Sequence, residues 1–166
     1  HSYKEGRSTI NGYLEDYAFV IAAFLKLYEA TFDSKWLMEA DALTDYCLVH
    51  FYDDNSGMFY FTSDQDDKLI ARKMEVTDNV IPASNSVMAN NMFLLSRHFL
   101  QEDYKEKSLQ MLNNVMGNWN NYPSGYSNWM NLLLSQVYPF YEVAISGKKS
   151  PEKALALFSE YIPNKV

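Results

Sequence analysis

The chain has 166 residues, 48% of them hydrophobic and 21% charged, a balance that suits one folded domain able to bury roughly 70% of the surface its unfolded form exposes. With 14 Lys and Arg against 21 Asp and Glu the net charge is −7, and no dense basic run exists to form a phosphate-binding stripe, so nucleic acid is not an expected partner. The single cysteine, Cys47, excludes an intrachain disulfide, and no apolar run approaches the ~20 residues of a membrane span.

From Tyr13 to Phe32, Leu14, Tyr17, Ala18, Ile21, Phe24, Leu25 and Tyr28 recur at three- and four-residue steps and predict a helix. Asp33 or Ser34 caps a second, whose apolar face is Trp36, Leu37, Ala40, Leu43, Cys47, Leu48 and Phe51. The turn cluster Asp53–Gly57 leads into a strand over Met58–Thr62, the polar loop Ser63–Asp67, and a segment Leu69–Arg72 expected to pair back as a small β-hairpin. After Pro82 a third helix starts near Ser84, with Ser84 and Asn85 as suitable caps, and a fourth runs from about Asp103 to Trp119. Tyr122–Gly125 breaks the chain, a fifth helix covers Tyr126 to about Tyr138, and Tyr141–Ile145 is an expected edge strand. Ser150, Pro151 and Glu152 mark the last helix, as cap, first-turn proline and first-turn acid.

A repeat carries the most information. An offset of 68 residues lays Tyr17 on Asn85, Leu27 on Leu95, Trp36 on Tyr104, Leu43 on Met111, Cys47 on Val115 and Phe51 on Trp119. Repeated helical hairpins stack into an open solenoid or close into an (α/α) toroid. The long connection between the first two hairpins favours the toroid, because solenoid repeats use short, regular links.

The strings GYLEDYAF (12–19), LYEATFD (27–33), GMFYFTS (57–63) and VIPASNSVMANNMFLL (80–95) resemble, in order, the helical region of the spermatogenesis-associated, thioredoxin-domain proteins and their bacterial YyaL-type relatives. The resemblance covers nearly all of the chain. It implies part of a six-hairpin toroid similar to those of N-acylglucosamine 2-epimerases and several glycosidases, lacking the family's thioredoxin-like domain and early hairpins, so no redox activity of that domain carries over. The family pattern before the third helix reads like PSGNS; here it is Pro82, Ala83, Ser84, Asn85 and Ser86, and without the glycine the backbone is expected to differ. The opening HSYKEGRST has no signal-peptide pattern and EYIPNKV enters an uncompleted strand, so residues 1–166 are expected to be one partial toroid domain cut from a longer, cytoplasmic protein.

In such an array the inner helices point their N-termini at one mouth. The repeat puts Glu15 and Asp16 at one such start and Ser84 and Asn85 at its equivalent, with Glu75 and Asp78 just upstream of Pro82. Glu15, Asp16, Glu75 and Asp78 are therefore candidate catalytic acids and bases for glycoside chemistry. Tyr13, Tyr17, Tyr60, Ser84 and Asn85 are candidate ligand-binding residues, and Phe59, Phe61 and Trp129 can stack on a sugar or pack in the core. The alternative reading of the acids is capping, which favours a helix start by about 0.3 to 1 kcal/mol.

Two function classes follow: a scaffold or ligand-binding domain, favoured because half a ring encloses no substrate, and a carbohydrate-active enzyme. The expected partners are a small sugar-like ligand and, through exposed ring edges, further copies of the chain. No cofactor is expected. Metal-ligand spacing is absent from the sequence, Cys47 reads as an inert core thiol, and a 15-residue helix spans about 22 Å, which sets His98 far from the Asp16 and Asn85 starts.

Overall fold

Tyr13 holds extended backbone at φ −79°, ψ 161°, and helix α1 (Leu14–Thr31) begins at the next residue. The computed structural model describes residues 3–8, 10–67 and 71–166; His1 and the start of the expected Leu69–Arg72 strand lie outside the described residues. A two-residue hairpin, β1 (Tyr3–Lys4) with β2 (Arg7–Ser8), precedes α1. Asp33 caps α2 (Ser34–His50) as its spacing predicts, its carboxylate accepting from Lys35 N at 3.1 Å. The remaining helices are α3 (Ser84–Phe99), α4 (Glu102–Val115), α5 (Ser127–Val137), preceded by a 3-10 turn over Pro123–Tyr126, and α6 (Ser150–Phe158). The chain is mainly α-helical, and the 68-residue offset holds in three dimensions: α1 packs on α2 as α3 packs on α4, while α1, α3 and α5 lie side by side.

The core runs through both hairpins. Ile21 and Leu25 of α1, Ala40 and Cys47 of α2, Met88, Met92 and Leu95 of α3, Met111 and Leu112 of α4 and Trp129 and Leu132 of α5 are buried together. Burial pushes the Cys47 thiol up to about 12, which leaves it a protonated, inert group at neutral pH. Buried side chains also stitch neighbouring helices: Asn91 Nδ2 donates to the Ala18 carbonyl across α1 and α3 (2.8 Å), and Ser108 Oγ to the Ala89 carbonyl across α4 and α3 (2.7 Å).

Four expectations are corrected. The small hairpin between the two helical pairs is β3 (Tyr52–Asp53) with β4 (Met58–Phe59), closed by the Asp53–Gly57 turn, so the strand at Met58 pairs with residues upstream. Gly57 sits at φ +65°, a backbone that selects glycine, and the Gln110 side chain of α4 fills the space a Cβ would take, 2.3 Å away at Nε2. The downstream segment contributes single contacts, Phe61 N to Lys73 O (2.7 Å) and Arg72 Nε to Thr62 O (3.2 Å). Helix α4 ends at Val115 rather than Trp119, and Ser150 lies inside α6 behind Lys149 and makes no cap bond. The expected edge strand over Tyr141–Ile145 does not form: Tyr141 makes one isolated parallel bridge to Lys165, and Val143 N donates to Val166 O (2.9 Å).

Helices α1 and α3 both end on a bulky left-handed residue at the same repeat position, Phe32 (φ 55°) and Leu100 (φ 54°). Left-handed backbone costs a non-glycine residue roughly 1–2 kcal/mol. Leu100 is 82% exposed, so Leu100→Gly loses little packing and is expected to stabilise the protein by about 0.5–1 kcal/mol in urea denaturation.

Tyr104 of α4 reaches two carboxylates of α2, Asp41 (3.0 Å) and Asp45 (2.8 Å), although a phenol has one proton to donate. Burial, together with Asp45, raises the Asp41 pKa against the lowering effect of the Tyr104 hydrogen bond. A carboxyl whose pKa rises on folding favours the protonated state, so its stabilising contribution is full below the unfolded value and is lost as pH rises through the folded one. Asp41→Asn is therefore expected to raise the denaturation midpoint at pH 7, by less than about 1 kcal/mol, with the gain vanishing in acid.

Candidate functional site

Three inner helices start at one end of the array, and the segments 58–62 and 74–78 run between those starts. At α1, Leu14 N donates to Phe61 O (2.9 Å), and Tyr13 N donates to Asp16 Oδ2 (2.8 Å), so Asp16 folds back on its own helix start. The Tyr13 ring stacks on Phe61 at 4.9 Å between centroids. Gly12 makes room for this turn, since a Cβ there would lie 2.8 Å from the Tyr17 ring.

At α3 the cap is assembled from a distance. Glu75 Oε2 accepts from Ser84 N (3.0 Å) and Asp78 Oδ1 from Ala83 N (2.9 Å) and Ser86 Oγ (2.7 Å). The expectation that Ser84 and Asn85 cap this helix is corrected: both lie inside it, the N-cap residue is Ala83, and Ser84 Oγ is buried with no hydrogen-bond partner. Ala83 takes φ −63°, ψ 144°, ordinary extended backbone, so alanine is accommodated here without strain. Asn85 turns away from any cleft. Its Oδ1 accepts from Phe59 N (2.8 Å) and its Nδ2 donates to Phe59 O and Glu75 O (both 2.9 Å), fully buried.

At α5, Asp78 Oδ2 accepts from Asn128 N (2.8 Å), so one buried carboxylate joins two helix starts. Asp78 N also donates to Gly125 O (2.7 Å) and Trp129 Nε1 to Val76 O (2.8 Å). Trp129 is thus a buried core residue with its indole N–H satisfied.

The other candidates are spread along this end. Glu15 is half-buried in the first turn of α1 and Asp16 is exposed beside it. Tyr17 packs between Tyr46 and Phe51, and burial followed by its bond to Tyr46 raises its hydroxyl to about 12. Tyr60 lies under the Arg72 guanidinium at 4.1 Å, while Phe59 is fully buried and Phe61 half-buried. The structure therefore gathers Glu75, Asp78, Ser84 and Asn85 into one hydrogen-bonded cluster and sets Glu15, Asp16, Tyr13 and Tyr60 around its edge. His50, the last residue of α2, pairs with Asp64 at 2.8 Å and rests on Tyr46 at 4.4 Å. No local spacing announced that pair, because its members lie on a helix end and a loop. Among the described residues no group of three or more His, Cys, Asp or Glu is arranged to hold a metal ion, and no helix is long and apolar enough to cross a membrane.

If Asp78 joins two helix starts while Asp16 closes one turn, their removal should differ in cost. Asp78→Ala leaves buried donors unmade and is expected to cost about 3 kcal/mol or more, whereas Asp16→Asn should cost about 0.5–1 kcal/mol. Urea denaturation of both variants checks the contrast.

No protein-family model matches the chain. Spermatogenesis-associated protein 20 of human is 32% identical over 161 residues, covering 93% of this chain and 20% of that protein, and its rat counterpart matches equally. An uncharacterized protein of Caenorhabditis elegans is 31% identical over 121 residues, 72% of this chain and 16% of its own length. The chain thus spans about a fifth of the length of the curated relatives it matches. It is homologous to spermatogenesis-associated protein 20, and that homology supports placing it in that family.

Proposed function

We propose that this homologue of spermatogenesis-associated protein 20 is a noncatalytic scaffold, a stretch of wall of an (α/α) toroid whose rim binds a small ligand at most. The observation behind this reading is that Asp16, Glu75 and Asp78 direct carboxylate oxygens at backbone amides of helix starts. Glycoside chemistry asks for two carboxyl groups about 5 to 9.5 Å apart across an open cleft, and Glu15 alone does not make such a pair. What remains for a ligand is the edge formed by Glu15, Tyr13 and Tyr60.

The repeat supports the ring. Asn91 and His98 of α3 meet Ala18 and Tyr28 of α1, so the stripe Met88, Asn91, Leu95, His98 is the flank that α3 turns to its neighbour. The same repeat positions on α1 are Val20, Ala23, Leu27 and Ala30. Met88 and Leu95 are fully buried, but Val20 is 42% and Leu27 38% exposed. An apolar flank at the position that already receives a helix once in this chain suits a further hairpin of a longer protein.

Full-length protein tests both halves. A panel of glycosides and free sugars is expected to show no turnover. Leu27→Asp is expected to cost about 2 kcal/mol or more, as burial of a charge against a neighbouring helix requires. Hydrolysis that disappears in Glu15→Gln or Asp16→Asn would establish the carbohydrate-active reading instead. A cost for Leu27→Asp below about 0.5 kcal/mol, the usual surface value, would place the flank in solvent, and loss of a dimer in the same variant would assign it to self-association.

A further inference from the structure

The opposite end of the array, where α1 and α3 finish, holds a cavity of about 400 Å³, within the size range of small-molecule sites. Its walls include Tyr28 of α1 and Phe32 that caps its end, Arg97 and His98 of α3, Glu142 of the segment after α5, and Phe158 of α6. None of these residues belongs to the cluster at the helix starts.

Arg97 is the unusual member. Its guanidinium lies 5.1 Å from the Phe93 ring centroid and 5.9 Å from that of Phe140, and the two rings meet edge to face at 4.9 Å. This aromatic cradle fixes the plane of the fork. A guanidinium carries five N–H donors, yet the carboxylate of Glu142 stands at 3.5 Å, on a side chain 52% exposed, and Arg97 Nε is buried with no hydrogen-bond partner. The donors are held in place and left largely unspent.

The remaining walls describe what such a fork would hold. Phe32 and Phe158 pack against each other with centroids 6.0 Å apart, and with Ile145 and Leu157 they form an apolar wall. His98 meets the Tyr28 ring at 5.1 Å, and burial lowers its pKa against the pull of Glu29 and Glu142. It is therefore a neutral imidazole, one donor and one acceptor, at pH 7.

We propose that this cavity binds a small organic monocarboxylate, its carboxylate on the Arg97 fork in place of Glu142 and its apolar body against the wall of Phe32, Phe158, Ile145 and Leu157. A planar carboxylate matches the guanidinium edge with two parallel hydrogen bonds. The surroundings favour a single negative charge. Glu29, Glu142 and Lys165 line the same cavity as Arg97, and the ends of α1 and α3 turn their negative dipole poles toward it, so a phosphate or dicarboxylate meets stronger repulsion than a monoanion.

The test is calorimetric titration of full-length protein with phenylacetate and with hexanoate, inorganic phosphate serving as the more highly charged comparison. Saturable binding at millimolar concentrations is expected for at least one carboxylate and none for phosphate. Arg97→Lys keeps the charge but loses the fork, and should weaken binding by about tenfold or more. Glu142→Gln, on an exposed side chain that the fold does not need, should tighten it by about threefold by removing the competing carboxylate. Failure of both probes to saturate, unchanged affinity in either variant, or binding of phosphate in their place would overturn the proposal.

Discussion

Helices laid side by side with their starts at one end bring their unpaired amides and positive dipole poles together; the buried Asp78 answers that constraint in this protein, and the buried Asn85 ties the incoming chain to α3. Asp78 meets only donors, namely Ala83 N, Ser86 Oγ and Asn128 N, and an acceptor-only carboxylate is the group that suits such a set. Asn85 meets one donor and two acceptors, Phe59 N, Phe59 O and Glu75 O, which requires an amide. The residue types follow from the polarity of their partners. The path of the connection from β4 to α3 and the entry of α5 depend on this pair of junctions.

The hairpin repeat was legible because its signal is long and redundant. Apolar positions agree across α1 with α3 and α2 with α4 over dozens of residues, so a local irregularity does not erase the register. Shorter signals failed in two ways. The partner of Met58 and Phe59 is decided by where α2 ends, which frees Tyr52 and Asp53 to pair across the Asp53–Gly57 turn; the strand sequence alone does not contain that information. The paired left-handed residues Phe32 and Leu100 are equally hidden, since nothing in a phenylalanine or leucine announces the backbone that glycine normally marks.

At the helix starts, the sequence made the acidic residues visible and left their partners out of view. Local capping rules look one to three residues ahead, and they point to Ser84 and Asn85. The groups that satisfy the α3 start are carboxylates at 75 and 78, and Asp78 then reaches Asn128, 50 residues further along the chain. Asp16, by contrast, acts within its own first turn, and there the local rule and the structure agree. A separation of 14 residues, also beyond the reach of local rules, hid the pairing of His50 with Asp64.

The two ends of the array differ in a way that the repeat makes plain. At the starts, equivalent positions cooperate in closing off the helices, and polar side chains there are spent on the backbone. At the other end the offset that lays Leu27 on Leu95 lays Glu29 on Arg97. Two helices that share an apolar register therefore carry opposite charges at one matched position, where like charges would repel across the shared cavity. Glu29 is occupied on its outer side by Lys26 at 2.8 Å, while Arg97 is wedged against Phe93 and Phe140 with Nε unpaired. Stability alone would favour pairing Arg97 fully with a nearby carboxylate. The cation instead stays at the cavity wall with donor capacity in reserve, and the inversion at this one repeat position separates a surface that closes on itself from one left open to a ligand.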